Sequence, residues 1–187
     1  MTNQITRRQS LKNVTFGLVG LLLLSESAES RTAREIIKPE ELYKIIYSVG
    51  ETSNILNEHD LVALAQIESS LNIRAKSSVG ARGLLQLTPI AWKQVNSGKN
   101  YLNHVYNPKE NIRTGKKYLE YLHEFCEENN LEWKNLTQQK QKEIIFAAYN
   151  LGPHRLKHSG WKTEIVQDYI DKIQKTSGRL KRNNYVS

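Results

Sequence analysis

Apolar residues recur at three-to-four spacing through most of this chain, broken by short polar stretches, and that period predicts helices. Pro39-Glu40-Glu41 puts a proline and two acids in a first turn, and Leu42, Ile45 and Ile46 follow as one face of a helix over 39–47. Asp60 is placed to cap a helix from Leu61 to Glu68. Pro89 can open a short helix through Val95. Asn107-Pro108 begins a longer one, whose apolar stripe is Ile112, Tyr118, Leu119 and Leu122. Another begins near Thr137 and turns Ile144, Ile145, Ala148 and Tyr149 inward, and a last helix is expected from Thr163 to Lys175, with fraying after Gly178. Between Ile73 and Leu87 the helical period disappears. Ser77, Ser78, Gly80 and Gly83 make that segment a turn-rich lobe with room for a short hairpin. No strand alternation, solenoid repeat or low-complexity tract runs through the rest. The pattern predicts a mainly α domain with one small irregular lobe, and a cleft between lobe and helices suits a long polymer.

The first thirty residues follow a different rule. Thr6 to Lys12 is a charged region, Val14 to Leu24 an apolar run, and Ser25 to Ser30 small and polar, the anatomy of an export signal too short to span a bilayer comfortably. Arg7-Arg8, with Leu11 and Lys12 after them, resemble a twin-arginine signal, although Ser10 stands where phenylalanine is usual. An ordinary secretory signal and an uncleaved anchor are the alternatives. Cleavage is expected after Ser30, or else after Ser27. The mature domain is then 31–187, long enough to bury one core. Its single cysteine, Cys126, excludes an internal disulfide and reads as a small apolar core residue. The chain carries a net charge of +8, and 31–187 keeps 24 Lys and Arg against 17 Asp and Glu. Such a balance draws polyanions of any kind. An export signal favours an acidic wall polymer over nucleic acid, for which nothing beyond charge speaks.

Candidate chemistry concentrates between Ala63 and Pro89. Glu68 ends the apolar run Ala63-Leu64-Ala65-Gln66-Ile67. A helix C-terminus and apolar neighbours both disfavour its ionised form, which raises the pKa toward what a general acid needs near neutral pH. By itself this position is better read as an exposed glutamate just past a core helix. The context separates the two. Glu68-Ser69 ahead of Ser77-Ser78-Val79-Gly80-Ala81-Arg82-Gly83-Leu84-Leu85-Gln86-Leu87-Thr88-Pro89 resembles two ordered motifs of the lytic transglycosylase catalytic domain, which is related to goose-type lysozyme. Asn107-Pro108-Lys109-Glu110-Asn111-Ile112 with Gly115 and Tyr118-Leu119 is similar to a third motif. Ala148-Tyr149-Asn150-Leu151-Gly152 is similar to a fourth, and Tyr169-Ile170 to the last. The resemblance covers roughly Leu42 to Ile173. Leu85 stands where methionine is common, Asn107 where aspartate is, and Ile165 and Val166 where glutamate and threonine are, so the far end of the cleft departs from the pattern.

The resemblance implies a lysozyme-like α+β fold and a peptidoglycan substrate. It implies Glu68 as the catalytic group, acting as acid and then base. Gln86 and Asn150 would hydrogen-bond the sugars' N-acetyl and hydroxyl groups. The Tyr149 hydroxyl would hold Glu68 or the reacting acetamido group, and Ser77 would line the turn beside Glu68. Most glycosidases need two carboxylates. After residue 30 the only aspartates are Asp60, Asp168 and Asp171, none an obvious second group. That scarcity fits the mechanism the resemblance implies, cleavage between N-acetylmuramic acid and N-acetylglucosamine in which the muramic acetamido oxygen attacks its own anomeric carbon and a 1,6-anhydro ring closes without water. A lysozyme-type muramidase, a non-catalytic wall-binding protein and a basic nucleic-acid binder are the competing readings. No cofactor is expected. His154 and His158 are four apart, but without a third ligand a metal site is not expected. Expected partners are peptidoglycan glycan strands and, as a candidate, secretion or conjugation machinery, with no nucleic acid. The protein is read as a monomer exported to the periplasm or cell wall of a bacterium.

Overall fold

The computed structural model describes residues 34–50 and 55–183. The export signal expected over 1–30 lies outside them. Eight α-helices lie among the described residues: α1 (Pro39–Ser48), α2 (Glu58–Ser69), α3 (Pro89–Val95), α4 (Tyr101–His104), α5 (Pro108–Asn129), α6 (Gln138–Leu151), α7 (Pro153–His158) and α8 (Gln167–Arg182). Two short 3-10 turns, Trp133–Asn135 and Thr163–Val166, precede α6 and α8. The mainly helical class expected from the sequence is the one observed. None of these helices is long and apolar enough to cross a membrane.

Helix α2 runs through the centre. Leu61, Val62, Ala63, Leu64 and Ala65 are all buried, as a helix apolar on every side must be. It lies against α1 and, most extensively, α8. Its cap differs from expectation. Asn57, not Asp60, caps it: the Asn57 side chain accepts from the Asp60 N–H at 3.0 Å, and Asp60 accepts back from the Asn57 N–H at 3.1 Å. Asp60 is one turn inside the helix and buried, so it needs partners. The Lys142 ammonium on α6 and the Ser177 hydroxyl on α8 each donate to it at 2.7 Å. The last helix also departs from expectation. Its first turn is the 3-10 segment, and α8 continues past Gly178 to Arg182 because Ser177 is bonded to Asp60 and Leu180 is buried.

The segment 73–87 forms the expected irregular lobe, with isolated antiparallel bridges Lys76↔Arg82 and Arg82↔Leu87 in place of regular strands. Asn111, fully buried on α5, holds it in place. Its Oδ1 accepts from the Leu85 N–H at 2.9 Å, and its Nδ2 donates to the Val105 carbonyl at 2.8 Å and the Arg82 carbonyl at 3.3 Å. Gly83 makes this approach possible. Its φ is +78°, and a Cβ there would fall 2.2 Å from Asn111 Nδ2 and 2.6 Å from the Val105 carbonyl oxygen. Tyr101 braces the lobe from outside, its hydroxyl 2.8 Å from the carbonyl oxygens of both Gly80 and Leu87.

Asn111→Ala leaves the buried Leu85 N–H and Val105 carbonyl unpaired and opens a void. It is expected to lower unfolding stability by roughly 2–4 kcal/mol, read by chemical denaturation.

Candidate active site

Glu68 is in the last turn of α2, where the chain leaves the helix abruptly. Ser70 and Leu71 both take left-handed backbone angles, φ 53° and 61°. Two such residues in succession are costly, and they persist because Leu71 is buried and its N–H donates to the Ala65 carbonyl at 3.5 Å. The turn leaves the Glu68 carboxyl part-buried at the helix end. Burial pushes its pKa from the ordinary carboxylate range to about 7, against a smaller downward pull from one hydrogen bond. That bond comes from the Tyr169 hydroxyl on α8, 2.5 Å from Oε1.

The hydroxyl on Glu68 is therefore Tyr169 and not Tyr149. Tyr149, in the last turn of α6, donates instead to the Leu85 carbonyl at 2.6 Å. It still belongs to the same cluster, since the Glu68 charge adds to the burial that keeps both tyrosines far from ionising. Tyr169 was visible in the sequence only as part of the last motif. It lies 101 residues from Glu68, and no local pattern joins the two.

The same bonds fix Gln86. Leu85, just before it, is held at its N–H by Asn111 and at its carbonyl by Tyr149. Gln86 itself has a φ of +43°, a left-handed conformation that costs on the order of 1–3 kcal/mol for a non-glycine residue. Its backbone N–H and its Nε2 both converge on the Gly83 carbonyl, at 3.1 and 3.0 Å. Asn150, next to Tyr149, carries a different signal. Its Oδ1 is buried with no hydrogen-bond partner, an acceptor without a donor. Ser77 stays within its own turn, where its Oγ accepts from the Ala81 N–H at 3.0 Å and its N–H donates to the Ala81 carbonyl at 2.9 Å. No hydrogen bond joins Ser77 to Glu68 among the described residues.

Glu68, Tyr149 and Tyr169 thus meet at the junction of α2, α6 and α8; Tyr149 ties this cluster to Leu85, the lobe residue before Gln86, and Asn150 follows Tyr149 on α6. Among the described residues no other carboxylate's charge bears on Glu68. Asp60, eight residues earlier on α2, is about 12 Å along the helix and saturated by its own partners. His154 packs edge-on against Phe125, with ring centroids 5.0 Å apart.

The model of the transglycosylase SLT domain matches residues 46–170, a stretch that includes every member of this cluster. The chain belongs to the SLT transglycosylase family. Among relatives of this SLT domain, the membrane-bound lytic murein transglycosylase F of Pseudoalteromonas translucida (strain TAC 125) is 36% identical over 92 residues, 49% of this chain and 17% of that protein. The soluble lytic murein transglycosylase of Escherichia coli (strain K12) is 34% identical over 103 residues, 51% of this chain and 14% of that protein. The chain therefore spans only a small part of the length of the curated relatives it matches.

The raised pKa of Glu68 has a thermodynamic consequence. The folded protein holds a proton on Glu68 that the unfolded chain releases at an ordinary carboxylate pKa. The contribution of this group to stability therefore falls as pH rises from about 4.5 to about 7. Glu68→Gln removes that loss. Its stability relative to the parent should rise across this window by up to roughly 3 kcal/mol, measured by denaturation at pH 5 and pH 8.

Proposed function

We propose that this SLT domain is a peptidoglycan lytic transglycosylase that cleaves the β-1,4 bond between N-acetylmuramic acid and N-acetylglucosamine and leaves a 1,6-anhydromuramic end. The observation that carries this reading is a lone carboxyl, Glu68, held near pKa 7 with a tyrosine hydroxyl on one oxygen and, among the described residues, no second carboxylate acting on it. A glycosidase with one carboxyl needs another internal nucleophile, and the 2-acetamido group of the substrate supplies one. Asn150 supports the same substrate, because a buried acceptor without a donor suits an acetamide N–H.

The steps balance without water. Protonated Glu68 gives its proton to the glycosidic oxygen as the bond to the muramic anomeric carbon breaks. The acetamido oxygen of that sugar closes on the same carbon. Glu68, now ionised, takes the proton of the C6 hydroxyl, whose oxygen displaces the acetamido oxygen and forms the anhydro ring. Glu68 ends protonated, ready for the next cycle. Tyr169 positions the carboxyl and stabilises its charged form between the two proton transfers. Gln86, held rigidly in its left-handed turn, and Asn150 would bind the sugars' acetamido and hydroxyl groups. The pinned Leu85 carbonyl gives Tyr149 a bracing role, while Ser77 shapes the turn of the lobe. We also read residues 1–30 as an export signal, with the domain acting on the wall outside the cytoplasm as a monomer, alone or beside secretion or conjugation machinery.

Mass spectrometry of the products released from purified peptidoglycan tests this reading. Products ending in 1,6-anhydromuramic acid, lost with Glu68→Gln, are expected. Reducing ends one water heavier would make the enzyme a hydrolase. The pH profile tests the positioning role. Because Glu68 must start protonated, kcat/KM should fall as pH rises through about 7. Tyr169→Phe removes the bond that favours the carboxylate, so that limb should move to higher pH. An unmoved limb with a uniformly lower rate would leave Tyr169 a packing role only.

A further inference from the structure

Arg82 is a guanidinium without an anion. It lies four residues before Gln86 on the same lobe, part-buried, with its Cζ 5.9 Å from the Tyr101 ring centroid and 5.7 Å from that of Tyr106. Nη1 reaches only the Tyr106 hydroxyl, at a long 3.4 Å. Nε is shut off from solvent with no acceptor at all. Among the described residues no carboxylate comes within ion-pairing distance of Arg82. Covered cations are normally paired, so this side chain has an unmet demand.

Its surroundings increase that demand. Lys76 is the bridge partner of Arg82, which sets two cations opposite one another where like charges oppose pairing. Arg74 lies over the same Tyr106 ring, 5.5 Å from its centroid. The one acid in this group, Glu35, is bonded to Arg74 at 3.0 Å. Three cations therefore share one acid on an edge whose geometry is fixed by two tyrosine rings and by Tyr101's bonds to the lobe backbone. A planar guanidinium held against rings presents a fork that matches a carboxylate.

We propose that Arg82, framed by Tyr101 and Tyr106 and flanked by Arg74 and Lys76, binds a carboxylate of the peptide stem carried by the glycan strand. The proposal rests on the peptidoglycan reading above. A bare strand of acetylated sugars offers hydroxyls and amides, whereas its peptide stems bring free carboxylates. The segment that carries Arg82 continues directly into Gln86, so a strand laid along Gln86 would trail its stems from the lobe that holds Arg82. The site makes the enzyme selective for stem-bearing over denuded glycan.

The test uses a synthetic stem tetrapeptide with free carboxylates and the same peptide fully amidated, titrated into the full chain by calorimetry. The free acid should bind at least about tenfold more tightly. Arg82→Gln should abolish that preference. In parallel, the ratio of kcat/KM for stem-bearing over amidase-stripped strands should fall roughly tenfold in Arg82→Gln. Equal binding of the two peptides to the parent protein overturns the proposal with no variant involved. Arg82→Gln retaining the preference, or inorganic phosphate competing as well as the peptide, overturns it too. If the parent cleaves neither substrate yet prefers the free acid through Arg82, the lyase reading fails and the carboxylate site stands. If it cleaves both with no peptide preference, the carboxylate site fails and the lyase reading stands.

Discussion

A carboxyl whose burial lifts its pKa to about 7, at the end of a buried helix, sets the layout of this domain. Burial of α2 supplies the desolvation, and its abrupt left-handed exit leaves Glu68 at the boundary between core and lobe. A group placed there would be unstable in position without an anchor from elsewhere, and α8 provides it. Two bonds join the antiparallel pair: Asp60 to Ser177 near the start of α2, and Glu68 to Tyr169 at its end. Eight residues separate the bonded positions on each helix, so the clasps stand in register about 12 Å apart. The structural clasp therefore fixes the orientation of the chemical one.

The lobe obeys a second constraint. Without regular strands it cannot hold its shape through a ladder, so its rigidity comes from single hydrogen bonds made by buried side chains. Asn111 takes the Leu85 N–H, Tyr149 takes the Leu85 carbonyl, and Tyr101 bridges Gly80 and Leu87. This is what maintains the strained turn at Gln86. The strain falls on the residue proposed to meet the sugars, and the bonds that enforce it lie one residue away.

Much of this was readable in the sequence where the information is local. The helix periods, the proline and asparagine at the start of α5, and the loss of period between 73 and 87 all correspond to observed elements. The ordered motifs found the cluster around Glu68. Long-range pairing was the part that could not be read. Asp60 has the chemistry of a cap, and its actual place inside the helix depends on Lys142 and Ser177, far away in sequence. The same limit governed the end of α8, where burial of Leu180 overrode the local signal of Gly178. Tyr149 and Tyr169 were both in recognised motifs, but which hydroxyl meets the carboxyl is a matter of tertiary geometry.

Gly115 has a consequence for how this domain can change over time. Its missing side chain is occupied by Leu85: a Cβ at 115 would stand 2.1 Å from Leu85 Cδ1. Methionine, common at position 85 in the family, is unbranched and can swing its chain aside, which the forked leucine does less readily. The two positions therefore exchange volume and should not mutate independently. A larger residue at 115 requires the Leu85 side chain to shift, a movement that methionine at 85 would make easier. Because the Leu85 backbone also anchors the turn at Gln86, a change at 115 would be felt in the lobe as well as in α5.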